Sequence, residues 1–314
     1  MTDHPVSPFG TATPPKEGNE IAASRLPPLL RRGIEAVLIL ARSRRAKGCY
    51  AGAVSIAPPV DAPELTTMLG DGSMWHPIEV VASTGSTNDD LARRPDAPAG
   101  LVRIAGHQTA GRGRFDRVWQ DVPGAGVAVS LVLRPARDVT EWGWLSLLMG
   151  MAVADGLRVI GGEAGCDAGR VSLKWPNDVL IDDGKVCGIL AQTDGQSAVV
   201  GWGLNIAMTR DELPVPTATS LALAGWPTDA TRVVAAVLWQ MQRYFTLWED
   251  GCDLRDDYVR LSSTIGQRVR VERPDGFVEG DAVGLSPTGA LVLYVGGEMV
   301  AVEVGDVVHL RKGL

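Results

Sequence analysis

Residues 111 to 117 read Gly-Arg-Gly-Arg-Phe-Asp-Arg, three guanidinium groups interleaved with two glycines. Guanidinium forks suit carboxylate or phosphate oxygens, and glycine lets backbone approach a ligand closely. The stretch reads as a flexible anion clamp, although a solvated basic turn has the same composition. A second concentration is Lys174-Trp175-Pro176-Asn177-Asp178, with Lys185 soon after it. Two lysines and two polar residues set among apolar strand residues point to function more sharply than lysines scattered over helices. Ser86-Thr87-Asn88 supplies hydroxyls and amides where a helix should begin, which suits either a cap or a small polar ligand. Together these groups suit stabilisation of phosphate charge rather than proton abstraction from an unactivated carbon. Only His107 adjoins the clamp; strand-end packing or ligand contact is preferred for it over acid-base work. His4, His76 and His309 lie in the lead-in or at domain margins. No nucleophile triad stands out, and Gly111 to Arg117 lacks the residue order of a phosphate-binding Walker loop.

The elements that must position these groups follow from periodicity. Ile78 to Val81 and Leu101 to Ala105 have strand composition and flank the Ser86 segment. Gly126 to Leu133 is apolar or small on both faces and reads as a central strand. Trp142 to Leu157 predicts a helix with Leu145, Leu148, Met149, Ala152 and Leu157 on its buried stripe. The turn Asp182-Asp183-Gly184 predicts a hairpin that brings Lys174, Asn177, Asp178 and Lys185 around one strand pair. Ala198 to Ile206 is a further strand, in which Gly201 and Gly203 either admit a ligand or relieve crowding beneath Trp202. Val234, Leu238, Met241, Phe245 and Trp248 recur at helical spacing and read as core. A short helix is expected over Asp253 to Leu261. From about Thr264 five short strand candidates predict a compact β-barrel appended to the mixed domain.

Composition bounds the rest. The chain has 314 residues, a net charge of -7 and 45% apolar residues, which fits a globular protein and argues against a broad nucleic-acid surface. Cys49, Cys166, Cys187 and Cys252 are too scattered for a zinc site or a disulfide scaffold, so a reduced, cytoplasmic setting is expected. No apolar run approaches the roughly 18 residues of a membrane span. Residues 1–74 read as a variable, partly disordered extension. Within it a basic stretch from Leu29 to Lys47 lacks the two helical patterns of a helix-turn-helix.

Taken together, Gly106 to Arg114, Lys174-Trp175-Pro176-Asn177-Asp178, Lys185 to Leu190, Ser86-Thr87-Asn88, Trp119 and Gly201 to Asn205 resemble the biotin protein ligase family in order and spacing. The resemblance covers about 77 to 314. It implies an α/β (α+β) fold, a mixed-sheet class II synthetase-like catalytic domain over 75–263 and a small SH3-like β-barrel over 264–314. It implies activation of biotin by ATP to biotinyl-5'-AMP, with Mg2+, followed by transfer to a lysine of a biotin carboxyl carrier domain.

Carried onto this chain, the family pattern assigns Ser86, Thr87 and Gln108 to the ureido head. Arg112 to Arg117 fall to the phosphate region, with Arg114 foremost, and Lys185 to the reacting carboxylate and α-phosphate. Asn177 and Asp178 fall to the nucleotide end, Asp178 as the magnesium ligand. Trp119 and Asn205 would shape the adenylate side, with Lys174 in support. Asn88, Gly111, Gly113, Arg117, Gly188 and Gly203 complete the binding set. The implied partner is the carrier domain of an acyl-CoA or pyruvate carboxylase, with no DNA, no membrane, and a monomer or weak homodimer. A lipoate or octanoate ligase or transferase, and a non-catalytic biotin-responsive regulator, stand as alternatives.

Overall fold

The computed structural model describes residues 60–310. The readings made on the lead-in through residue 59, including the basic stretch from Leu29, lie outside those residues. Where the sequence suggested a domain start near Trp75, an additional helix, α1 (Ala62–Leu69), precedes it. Asp61 caps α1 by accepting from Glu64 N, and Leu65, Met68 and Leu69 are buried. Trp75 Nε1 donates to Leu238 O at 2.8 Å, and Trp239 Nε1 donates to Met68 O at 3.3 Å. Each such buried side chain contributes about 1.5–3 kcal/mol. Four of them make this segment part of the core.

The main sheet has seven strands: β1 (Ile78–Val81), β2 (Val102–Ala105), β3 (Gly126–Leu133), β4 (Val171–Lys174), β5 (Asp178–Ile181), β6 (Gly184–Thr193) and β7 (Ala198–Asn205). Their order is β1-β2-β3-β7-β6-β5-β4. β1 and β2 are parallel, and every other pair is antiparallel. A short helix, α2 (Thr87–Ala92), lies in the β1–β2 crossover. β3 and β7 are buried along their whole length, as the two apolar faces of their sequences require.

Val129, Leu131, Val200, Trp202 and Leu204 join one core with α3 (Trp144–Glu163). Here α3 runs beyond the expected end at Leu157. It is buried on most of its circumference rather than on one stripe, because α5 (Ala230–Glu249) covers the side away from the sheet. Contrary to the expectation that no apolar run reaches a membrane span, α3 is long and apolar enough to cross a membrane, and most of it is instead packed inside the fold. Two short helices, α4 (Leu221–Ala224) and α6 (Arg255–Leu261), close the unit.

The C-terminal strands are β8 (Arg268–Arg273), β9 (Gly276–Leu285), β10 (Leu291–Val295), β11 (Glu298–Val302) and β12 (Asp306–His309). They pair antiparallel in the order β11-β10-β9-β8-β12. All five expected strands are present, but their ladders do not join β11 to β12, so the unit is an antiparallel sheet rather than the closed barrel expected. Strand composition reveals each strand, not which edges meet.

Candidate active site

On the face of the seven-stranded sheet opposite α3 lies a cleft of about 340 Å³. Its floor is made of glycine. A Cβ on Gly203 would stand 2.5 Å from Trp119 Cε2, and one on Gly188 would stand 2.8 Å from Trp119 Cζ3. The indole therefore lies flat on backbone. Gly201 serves the same purpose for another side chain, since its Cβ would meet Asn88 Oδ1 at 1.9 Å. The suggestion that these glycines relieve crowding beneath Trp202 is overturned, because Trp202 points into the core on the other face.

One wall is neutral. Ser86 caps α2 through its side chain, and Ser86, Thr87 and Asn88 are all buried. Gln108, three residues past the end of β2, accepts from Thr87 N at 2.8 Å. Asp121 holds that segment in place: its Oδ2 accepts from Gln108 N at 3.0 Å, and its Oδ1 stands 2.5 Å from His107 Nδ1. His107 thus packs at a strand end, outside the cleft lining.

The other wall is charged. Lys185 is the second residue of β6, where the β5 pairing shifts so that Leu180 faces Lys185 and Val179 faces Cys187. The extra residue, Val186, forms a bulge. Residues three apart on a regular strand point to opposite faces, and the bulge turns Lys185 to the same side as Gly188. Lys185 Nζ lies 2.6 Å from Asp178 Oδ1 and 5.8 Å from the centre of the Trp119 ring. Lys174 and Asp178 face each other across β4 and β5, with Asn177 in the turn between them. Asn177 Nδ2 donates to Ile189 O at 3.0 Å.

The arginine stretch forms a small hairpin rather than a loose loop. Arg112 bridges Val118, and Gly113 N donates to Arg117 O at 2.7 Å. At its tip Phe115 and Asp116 take φ of 52° and 57°, left-handed values that non-glycine residues seldom adopt. Its guanidiniums diverge. Arg112 donates to Asp89 Oδ1 on α2 at 2.8 Å. Arg114 donates to Gly305 O at 3.1 Å and Asp306 Oδ1 at 3.2 Å, and Arg117 also pairs with Asp306. Burial pushes the Arg114 pKa down, opposed by Asp306 and Asp178. An arginine remains charged at any such shift.

Most of the sequence candidates converge here: Ser86, Thr87, Asn88, Gln108, Arg112, Gly113, Arg114, Arg117, Trp119, Lys174, Asn177, Asp178, Lys185, Gly188 and Gly203 all line the cleft. Two do not. Asn205 is buried and donates to Thr219 O at 3.0 Å, while Gly111 lies behind the indole, with its O accepting from Trp119 N at 3.0 Å. Sequence reasoning missed Glu272 and Asp306, which face each other across β8 and β12 and line the rim. Nothing local in the sequence marks them, because their relation to the arginines exists only once the two sheets meet.

Residues 78–205 match the biotin/lipoate A/B protein ligase family, and residues 264–310 match the biotin protein ligase C-terminal domain. A biotin–[acetyl-CoA-carboxylase] ligase of Mycobacterium tuberculosis is 42% identical over 264 residues, covering 82% of this chain and 98% of that protein. The bifunctional ligase/repressor BirA of Bacillus subtilis is 32% identical over 239 residues, 73% of this chain and 71% of that one. Among solved structures, a biotin protein ligase from Aquifex aeolicus in complex with biotin and ATP shares the fold. Its TM-score is 0.62, with 24% identity, over 73% of this chain and 97% of that one.

Proposed function

The chain belongs to the biotin protein ligase family, and from that premise we propose how its cleft forms biotinyl-5'-AMP from biotin and ATP and then biotinylates a carrier protein. The observation that carries the reading is the division of one cleft into a neutral wall and a cationic wall over a glycine floor. Biotin's carboxylate oxygen attacks the α-phosphorus of ATP, forming the mixed anhydride and releasing pyrophosphate. Both reactants are anions, so the cationic wall must lower their repulsion and hold the charge of the transition state. In this reading Lys185 faces the carboxylate and α-phosphate, and Arg114, with Arg112 and Arg117, faces the phosphates. Ser86, Thr87 and Gln108 take the ureido head. Trp119 gives the adenylate a flat apolar face, and Asn205 shapes that side from behind.

Magnesium accompanying the nucleotide would be met by Asp178 and Asn177. Asp178 Oδ1 is buried and has no hydrogen-bond partner beside its ion pair with Lys185. Together with Asn177 it is the sparse donor set that magnesium uses when phosphates and water supply the other ligands. The ion would neutralise phosphate charge at that end.

In the second step the carrier's lysine amine attacks the acyl carbon, and AMP leaves. No covalent bond to this protein is needed. Cys187 is buried, and burial pushes its thiol pKa up, which disfavours it as the acyl acceptor that the transferase alternative would use. The carrier is the biotin carboxyl carrier domain of an acyl-CoA or pyruvate carboxylase, and the enzyme acts as a cytoplasmic monomer or weak homodimer. The mixed sheet is taken as the class II synthetase-like domain and the C-terminal sheet as its SH3-like module.

The test is incubation with ATP, magnesium and, separately, biotin, lipoate and octanoate, following acyl-AMP and pyrophosphate by mass spectrometry. Both products with biotin alone are expected. Turnover of lipoate or octanoate in preference to biotin would move the chain to its cousins' chemistry.

A further inference from the structure

Behind the neutral wall, out of reach of the cleft, Ser130 on β3 is fully buried. Resting on the reading of the cleft as a biotin site, we propose that Ser130 is a positioning residue that sets the polarity of the head-group pocket. It does so by making Thr87 Oγ1 an acceptor toward the ligand.

The argument is a count of protons along one buried chain. Asn88 Nδ2 has two hydrogens and places them on Leu190 O at 3.1 Å and Gln192 Oε1 at 2.9 Å. A backbone carbonyl can only accept, so the amide's orientation is fixed and Asn88 Oδ1 faces the other way. Ser130 Oγ stands 2.5 Å from that oxygen and must donate to it. Its single proton is then spent. Thr87 Oγ1 lies 2.7 Å from Ser130 Oγ, which can now only accept, so the Thr87 hydroxyl donates to it.

Thr87 Oγ1 also lies 3.1 Å from Gln108 Oε1, a longer contact to an oxygen already engaged by Thr87 N. The shorter contact takes the proton. With its hydrogen directed inward, Thr87 Oγ1 turns lone pairs to the cleft. Gln108 Oε1 is held toward Thr87, so its amide hydrogens are the donors left for a ligand. Gly201 leaves room for the whole arrangement, since its Cβ would lie 2.9 Å from Ser130 Oγ and closer still to Asn88.

A cyclic urea has N–H groups to donate and a carbonyl to accept. It matches an acceptor at Thr87 beside donors at Gln108. A dithiolane ring offers neither, and a site built for polar partners rejects a head that leaves them unpaired. Selection of biotin over lipoate is thus assigned to a residue the ligand does not touch.

The experiment uses Ser130→Ala and Gln192→Leu in the full-length protein, checked for folding by thermal melting. Steady-state pyrophosphate release is measured with biotin and with lipoate, together with calorimetric biotin affinity without ATP. In Ser130→Ala the Thr87 proton loses the acceptor that holds it inward and can turn into the cleft, against the ligand's N–H groups. KM and Kd for biotin rise about tenfold. Meanwhile kcat at saturating biotin stays within about twofold, KM for ATP is unchanged, and the biotin-to-lipoate preference falls about tenfold. Gln192→Leu removes one of the two acceptors that hold the Asn88 amide, leaving Leu190 O, and so loosens the chain from the far end, with about a threefold change in the same direction. It decides the matter if Ser130→Ala does not fold. A folded variant with unchanged biotin KM and unchanged preference overturns the proposal, as does a fall in kcat with an equal rise in KM for ATP. Absence of biotin-dependent pyrophosphate release from the unaltered protein sinks the substrate reading instead, so the two failures are separate.

Discussion

At the Ser86 end of the cleft the contacts are neutral, buried and short in reach, whereas at the Arg114 end they are ion pairs between two sheets of the molecule. Asn88, Ser130 and Thr87 sit within one layer on a glycine strand. Arg114 and Arg117 instead cross to Asp306 on β12. The neutral end is set before any ligand arrives. The charged end has an internal carboxylate where an anionic ligand is expected, so binding there exchanges one anion for another. On the proposed reading, one wall gives selectivity and the other gives rate.

The largest expected effect tests the charged wall directly. Lys185→Ala lowers kcat/KM for adenylation about 10²–10³-fold, in the range seen for loss of one donor to a developing charge. Transfer from supplied biotinyl-AMP is reduced far less; equal loss in both steps would place Lys185 elsewhere in the mechanism. Next, Gly203→Ala should blur the contrast between the ends. Its Cβ collides with the indole that floors the cleft, and an overpacked site of this kind loses about 10–100-fold in kcat/KM for both substrates. If only ATP kinetics changed, Trp119 would belong to the charged end alone.

Arg114→Ala is smaller still. It speeds dissociation of biotinyl-AMP about tenfold, as measured by release of labelled adenylate, with the thermal midpoint little changed. An unaltered release rate would end the clamp assignment. Raising ionic strength from about 0.05 to 0.5 M should then raise KM for ATP several-fold and KM for biotin much less, because ATP meets the charged wall with several charges and biotin with one carboxylate, its head lying on the neutral wall. Parallel rises in both would erase the distinction between the walls.

The smallest effect concerns the seam between the sheets. His309 contacts Thr264 at 3.3 Å, and burial followed by nearby Lys174 lowers its pKa, with Asp183 opposing. A histidine whose folded pKa lies below its unfolded value binds fewer protons when folded. Its contribution is complete above about pH 6.5 and is lost as pH falls through the folded value. The midpoint therefore drops between about pH 7 and 5, by less in His309→Gln, as differential scanning fluorimetry can show.

Much of this was legible in the chain because it is local. The hairpin at Asp182 to Gly184, the central strands at Gly126 and Ala198, and all five C-terminal strands follow from alternation and turn residues. The arginines, Lys185 and the Ser86 cap are recognisable by residue type. What escaped depends on distant partners. Helix α1 looked like lead-in because its anchors, Thr231, Leu238 and Trp239, lie at the other end of the domain. Asp306 carries no sign of its arginines, and Ser130 looks like one small residue in an apolar strand. Asn205 shows a different limit: it lies near the right motif, but its amide is spent on Thr219 O behind the cleft lining.

The order of strands also bears on how the protein comes into being. Four of the five C-terminal strands pair with a neighbour in sequence, so that sheet closes through short loops and forms quickly. In the main sheet β3 waits for β7, and all of β4 to β6 must be made before it arrives. On a ribosome, the apolar surface of β3 would spend that interval without its partner, which is where a chaperone would find work. β12, the latest of the described strands to be made, brings Asp306 to arginines synthesised long before it. The charged wall thus takes its internal counter-charge only after the neutral wall and all seven strands of the main sheet have been made.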